Sequence, residues 1–157
     1  MRQRVAILIF TVAACCFSFA QKSTPKKAVG HAVDRAYLQQ IWDGWAKLDP
    51  ANQAQYYAKG NHTFFDIAPL KYNSWDEYQA GVTKVLSGYK AATFTLNDDV
   101  EIHPEAGSIV WGSATVKSDM TTTAGKREMG TFRWTYVFGK QDGNWVVIHE
   151  HVSAPLQ

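Results

Sequence analysis

One dipeptide, Asp142-Gly143, restricts this chain more than any other feature. It divides two apolar, aromatic-rich runs, Met129–Lys140 and Asn144–Val152. Asp-Gly between such runs is a strong short-range hairpin signal, because both residues tolerate the left-handed backbone that a tight turn needs. The second run ends in His149-Glu150-His151-Val152-Ser153-Ala154-Pro155. Titratable groups there interrupt a strand that otherwise reads as buried. The mixture predicts the end of a cupped sheet, where a core gives way to a pocket or an interface.

Upstream of the hairpin the periodicity changes from helical to extended. Val33, Tyr37, Ile41, Trp45 and Leu48 recur at spacings of three and four, widened by Leu38 and Trp42, and predict a core-facing helix from about Ala28. Asp49 suits the N-cap and Pro50 the first position of a second helix, which Gly60 can end in a left-handed conformation. His62 to Ile67 reads as a short strand and Pro69 to Asn73 as a loop. Ser74 and Glu77 form a capping box for a third helix with Tyr78, Val82, Val85, Leu86 and Tyr89 on its buried face. Ala92 to His103 reads as a strand broken at Asn97-Asp98-Asp99, Pro104 to Gly107 as a turn, Ser108 to Asp119 as a long strand, and Thr121 to Lys126 as a polar turn. Three helices followed by long antiparallel strands predict an α+β fold, in which a curved sheet wraps the helices and leaves a pocket at its wide end.

The amino terminus follows different rules. Arg2 and Arg4 precede the short apolar run Val5–Ala14, and Ser18-Phe19-Ala20 places small residues where a signal peptidase reads them. Residues 1–20 are therefore expected to be a signal peptide, and the product is expected to be exported, periplasmic or secreted. Val12-Ala13-Ala14-Cys15 offers the alternative of a lipid anchor on Cys15. Residues 21–27 are polar, contain Pro25 and read as a linker, and residues 28–155 form the domain. Cleavage after Ala20 removes both cysteines, which excludes a disulfide framework, a thiol nucleophile and a thiolate metal site. It also removes Arg2 and Arg4, taking the formal charge from +2 to zero. That balance gives no electrostatic case for nucleic acid. All six tryptophans stay in the domain, a load suited to an aromatic-lined cavity.

The run Gly130-Thr131-Phe132-Arg133-Trp134-Thr135, together with Asp142-Gly143-Asn144-Trp145-Val146-Val147-Ile148-His149-Glu150-His151-Val152-Ser153, resembles the SnoaL-like branch of the nuclear transport factor 2-like superfamily. It is also similar to the closing hairpin of the calcium/calmodulin-dependent kinase II association domain. The resemblance implies a cone-shaped, cystatin-like α+β barrel, often dimeric through its convex sheet face. It implies little about chemistry, since the superfold hosts isomerases, cyclases, hydrolases and binding modules. The kinase association domain lines its pocket with arginines. The corresponding places here hold Val116 or Ala114, Tyr136 and Val152, which argues for a greasier pocket and against an anionic ligand.

Two hairpin registers assign the faces differently. A turn with a glycine bulge pairs Lys140 with Asn144 and puts Phe132, Trp134, Tyr136 and Phe138 on the inner face with Val146, Ile148, Glu150 and Val152. Arg133, Thr135, Val137, Trp145, Val147, His149 and His151 then share the outer face. A plain two-residue turn swaps the partners. The bulge is favoured, because Gly143 fits its left-handed position. Glu150 is then the odd inner residue: either a carboxylate with a partner or raised pKa, or a solvated rim group.

In the family's isomerases the general base is an aspartate in the region of Asp66, with a tyrosine expected near Ile41 that this chain lacks. Asp66 as base, with Tyr136 or Glu150 as acid, completes the catalytic candidates. Tyr37, Trp42, Tyr57, Phe64, Val116, Trp134 and Val152 are the ligand-lining candidates. Arg133, Thr135, Trp145, His149 and His151 are the candidates for a homodimer interface. His149 and His151 project from one side and could chelate a metal, but no third ligand has a reason to converge, so no metal or other cofactor is expected. The leading expectation is a domain binding a small hydrophobic or aromatic molecule. The alternatives are an enzyme that transfers a proton next to a carbonyl and an assembly module with a vestigial pocket.

Overall fold

The computed structural model describes residues 32–67 and 69–155. Signal peptide, lipid-anchor and linker expectations for residues 1–27 lie outside them. Among the described residues no helix is long and apolar enough to cross a membrane.

The fold is α+β. Helix α1 spans Arg35–Trp45 and α2 spans Trp75–Leu86. The strands are β1 (Asn61–Phe65), β2 (Tyr72–Ser74), β3 (Tyr89–Leu96), β4 (Glu101–Glu105), β5 (Ile109–Thr122), β6 (Arg127–Gln141) and β7 (Asn144–Ser153). They form one sheet in the order β2-β1-β7-β6-β5-β3, with β4 also paired to β5. The sheet is mixed rather than wholly antiparallel, because β1 runs parallel to β7 with Phe64 opposite Glu150.

Local chemistry sets the element ends. Helix α1 begins at Arg35, after the non-helical residues 32–34, because the Asp34 carboxylate accepts from the Tyr37 N–H and fixes the N-cap there. Asp49 and Pro50 do start a helical turn, but it is a single 3-10 turn, Pro50–Gln53. The chain then leaves it to lay Tyr57 beside Val147 in a parallel bridge. Ser74 caps α2 by accepting from the Glu77 N–H, while Glu77 reaches one residue further back, to the Asn73 N–H. In α2 Trp75, Tyr78, Val82 and Leu86 are buried, whereas Val85 is 48% exposed.

β3 and β4 lie end to end along one side of β5, bent at Asn97–Val100, so the expected single broken strand is two. Gln39 of α1 covers the free edge of β3: its amide donates to the Phe94 carbonyl and accepts from the Leu96 N–H. This side chain fastens the helix to the sheet.

The closing hairpin departs from the favoured register. Asp142 and Gly143 both have positive φ, 52° and 80°, and Gln141 pairs with Asn144, so the turn is the plain two-residue form. The irregularity lies further on. Phe138 faces Val147 but Val137 faces His149, which leaves Ile148 as the extra residue. That bulge reverses the side-chain parity part-way along β7. Before it, Trp145 and Val147 turn inward; after it, Glu150 and Val152 turn inward, opposite Tyr136 and Trp134. The expected outer face is thus split: His149 and His151 lie on it, and Trp145 packs against the core instead.

Between the sheet and the helices lies a core of rings. Trp134, Tyr136, Phe138, Phe64, Tyr57 and Trp75 are all fully buried. Each contributes roughly 1.5–3 kcal/mol through removal of apolar surface from water.

Candidate functional site

The rings do not fill the cone. A cavity of about 500 Å³ opens between α2 and the inner faces of β3, β5, β6 and β7. Trp42 and Trp45 from α1, Tyr78 and Val82 from α2, and Phe94 and Phe132 from the sheet supply its apolar wall. Apolar groups also sit at its opening: Val85 lines it, as do Ile67 and Met129, which are 50% and 70% exposed.

Two carboxylates meet at one end of this cavity. Glu150 comes from the middle of the sheet, flanked by β1 and β6, and is only 1% exposed. It is therefore not the solvated rim group that its sequence position also allowed. Three aromatic donors hold it. The Trp134 Nε1–H donates to Oε2 at 2.8 Å, and the Tyr57 hydroxyl lies 3.0 Å from both oxygens. The Tyr78 hydroxyl also hydrogen-bonds to it. Behind Tyr57, the Trp45 Nε1–H donates to the phenol oxygen at 3.2 Å. Burial is the largest influence on Glu150 and outweighs these donors, and the nearby Asp66 adds to it, so the pKa rises to about 7. The same burial and the carboxylate raise Tyr57 and Tyr78 well above the phenol range, so both stay protonated donors.

Asp66 is the first residue after β1, where the strand ends and the chain turns across the cavity. Its Oδ1 accepts from the adjacent Ile67 N–H at 2.7 Å. Desolvation lifts its pKa to about 6, against the lowering by that hydrogen bond. Neither Asp66 nor Glu150 has a cationic partner among the described residues. The arrangement can therefore hold and move a proton near neutral pH, which an ordinary surface carboxylate cannot.

The other candidates divide clearly. Trp42 and Val152 line the cavity with Asp66 and Glu150. Trp134 and Tyr57 stand behind the wall and orient Glu150. Phe64 stacks under Tyr78, with ring centres 5.4 Å apart, and Val116 is fully buried in the core. Tyr37 closes the narrow end against Tyr56 and Phe138, its hydroxyl donating to the Trp145 carbonyl. Tyr136 sits across from Glu150 on β6, but its hydroxyl points away and donates to the Glu101 carbonyl at 2.7 Å. Its hydroxyl is thus engaged by β4, and Tyr136 is not among the residues that line the cavity. Arg133, Thr135 and His151 are exposed on the outer face. His149 Nδ1 lies 2.7 Å from the Thr63 carbonyl, and both histidine rings contact Phe65 edge-on. No group of three metal-ligating side chains forms among the described residues.

Sequence reasoning missed Tyr78 as a partner of Glu150, and it missed Phe94, Ser118, Met120 and Phe132 as lining residues. One signal for Ser118 was present: it continues the period-two inner row of β5 after Ala114 and Val116, a lone hydroxyl on an apolar face.

Comparison with known proteins agrees with this architecture. The family model of the SnoaL-like domain matches residues 35–157, starting where α1 starts. The chain belongs to the SnoaL-like family. Solved structures share its fold, among them nuclear transport factor 2-like proteins. A candidate calcium/calmodulin-dependent protein kinase II association domain from Xanthomonas campestris superposes with TM-score 0.68 at 20% identity, covering 78% of this chain and 85% of that one. A nuclear transport factor 2-like superfamily protein from Salmonella enterica serovar Typhimurium gives 0.67 at 16% identity, with 78% and 91% covered. A candidate scytalone dehydratase from Novosphingobium aromaticivorans gives 0.66 at 10% identity, with 77% and 80% covered. At such identities the likeness is one of fold. A search of curated protein sequences returns no match.

Proposed function

We propose that this SnoaL-like protein binds a small, largely apolar molecule in the cavity beneath α2. The observation that carries this reading is the cavity itself: about 500 Å³, walled by tryptophan, tyrosine and phenylalanine rings. Ligand sites are of this size and are mostly apolar, with few polar groups. Trp42 and Trp45 form part of the wall, so a bound aromatic molecule should quench tryptophan fluorescence. Val85 is half exposed at the opening, so Val85→Trp can obstruct entry with little cost to the fold. Quenching that saturates in the parent protein and disappears in this variant supports the reading; equal quenching in both contradicts it.

A second reading is favoured by the carboxylate pair. With pKa values near 6 and 7, Asp66 can accept a proton from a bound substrate while Glu150 holds one ready to return. That division suits an isomerisation or elimination next to a carbonyl, and one fold neighbour is named as a candidate dehydratase. Asp66→Asn should then abolish turnover; undiminished turnover would exclude Asp66 as the base.

The outer face of β5–β7 supports a homodimer, since Trp111 is 43% exposed there beside the row Arg133, Thr135 and His151. A single mass at all concentrations in light scattering, equal to one chain, would refute it. Export rests on the pattern of residues 1–20, and amino-terminal sequencing of the cell-derived protein should begin at Gln21.

A further inference from the structure

Charge accounting inside the cavity narrows what it takes, given that it is a ligand site at all. Among the described residues three carboxylates line it, Asp66, Glu150 and Glu128, and no lysine, arginine or histidine does. Glu128 is already matched: Lys126 Nζ lies 2.9 Å away and the Tyr89 hydroxyl donates at 3.1 Å. Asp66 and Glu150 are not matched by any cation among the described residues. Asp66 accepts a single backbone hydrogen bond and keeps its remaining lone pairs free, and Glu150 is held only by neutral aromatic donors. Buried carboxylates without a countercharge are rare, and they call for a cation or a proton from outside the chain.

The rest of the wall fits the first of these. Trp42, Trp45, Tyr78, Phe94 and Phe132 present rings, whose faces carry negative charge density and attract cations. Ser118 lines the same space, is 5% exposed, and its hydroxyl has no hydrogen-bond partner among the described residues. A hydroxyl that opens on a cavity wall is an acceptor and donor for a ligand. A bare divalent cation is a poorer fit, because two carboxylates and an apolar wall fall short of the six or more oxygens such ions collect. An anion would face two uncompensated carboxylates.

We propose that the cavity selects a protonated amine carried on an apolar body, with the ammonium group at Asp66 and Glu150 and the body among the rings. Alkylamines that carry an aromatic ring are the substrate or ligand class that meets these features.

Three indole probes of similar shape separate charge from shape: tryptamine, its alcohol counterpart tryptophol, and indolepropionate. Isothermal titration of the full chain at about pH 8, where an alkylammonium is still charged, should show tryptamine binding at least about tenfold more tightly than tryptophol, a modest gain for one ion pair with ring contacts. Indolepropionate should bind most weakly. Asp66→Asn keeps the oxygen that accepts from Ile67, so it should fold, and it should weaken tryptamine several-fold, toward the affinity of tryptophol, while tryptophol itself changes less. Tryptophol binding as tightly as tryptamine would overturn the amine proposal and leave the cavity reading standing. No binding by any of the three would overturn the cavity reading, and this proposal with it.

Discussion

The inner face of β6 changes character half-way along its length. Trp134, Tyr136 and Phe138 are fully buried and interlock with Trp42, Tyr37 and each other at ring-centre distances of 4.5–5.9 Å. Glu128, Gly130 and Phe132, on the same face of the same strand, border open space. The facing row of β5 follows suit: Val110, Ala114 and Val116 are packed in the core, and then Ser118 and Met120 line the cavity. One continuous pair of strands thus builds a solid half and a hollow half. The boundary falls at Trp134, which belongs to the packing on one side and holds Glu150 on the other. Ring packing is concentrated in the first half, and the open volume lies in the second.

That contrast can be broken by truncating one ring from each half. Phe138→Ala should cost about 3–5 kcal/mol, the usual loss for a buried aromatic residue. Phe132→Ala should cost no more than about half as much, since its site already opens on the cavity, yet it should weaken ligand binding. Denaturant melts of both variants measure this, and equal losses would abolish the distinction.

Glu150 sharpens the boundary through pH. The folded state holds its proton more tightly than the unfolded chain does, with a pKa near 7 against an ordinary 4.5. Its contribution is therefore fully present below about pH 4.5 and is lost as pH rises through about 7, a fall of roughly 3 kcal/mol. Asp66 acts in the same direction at slightly lower pH. Glu150→Gln should flatten the fall in stability between about pH 5 and 7. A variant whose stability tracks the parent across that range would place Glu150 outside the dry region.

Two glycines make a smaller comparison. A methyl group on Gly112 would collide with the Glu101 carbonyl and lie 2.7 Å from the Tyr136 hydroxyl, so Gly112→Ala should cost about 1–3 kcal/mol. On Gly130 the same group would lie 3.3 Å from the Ser118 Oγ beside the cavity, so Gly130→Ala should change stability by about 0.5 kcal/mol or less. Ser118→Ala should have the smallest effect, also within about 0.5 kcal/mol, because the hydroxyl has no protein partner to lose. Thermal melts rank all three, and a large loss for Ser118→Ala would mean that its hydroxyl serves the fold.

Much of this plan was legible in the chain. Apolar alternation and the Asp142-Gly143 turn are local, and they are enough for the hairpin, the inner ring row of β6 and the α+β class. Asp49-Pro50 and Ser74 are local too, and both start helical turns where their capping chemistry says they should. What escaped was set by contacts between distant segments. Nothing near Ile148 in sequence announces a bulge; it arises where β7 must match β6 on one side and β1 on the other, and after a two-residue turn that puts Trp145 and Val147 inward it returns Glu150 and Val152 to the inner face. Whether Ala54–Tyr57 prolongs a helix or leaves it depended on Tyr57 reaching Val147. Face parity alone puts Glu150, Trp134 and Tyr136 together. It cannot tell that the Trp134 ring nitrogen turns toward the carboxylate while the Tyr136 hydroxyl turns to β4. The hollow itself is a shortage of volume, and no single residue encodes it.

The central claim is that Asp66 and Glu150 share one end of a largely apolar cavity without a countercharge among the described residues. Carbon-13 NMR of the side-chain carboxyls, followed across pH, reports on both groups in the folded chain. The account predicts midpoints near 6 for Asp66 and near 7 for Glu150. Midpoints for both in the ordinary carboxylate range, about 4, would contradict it.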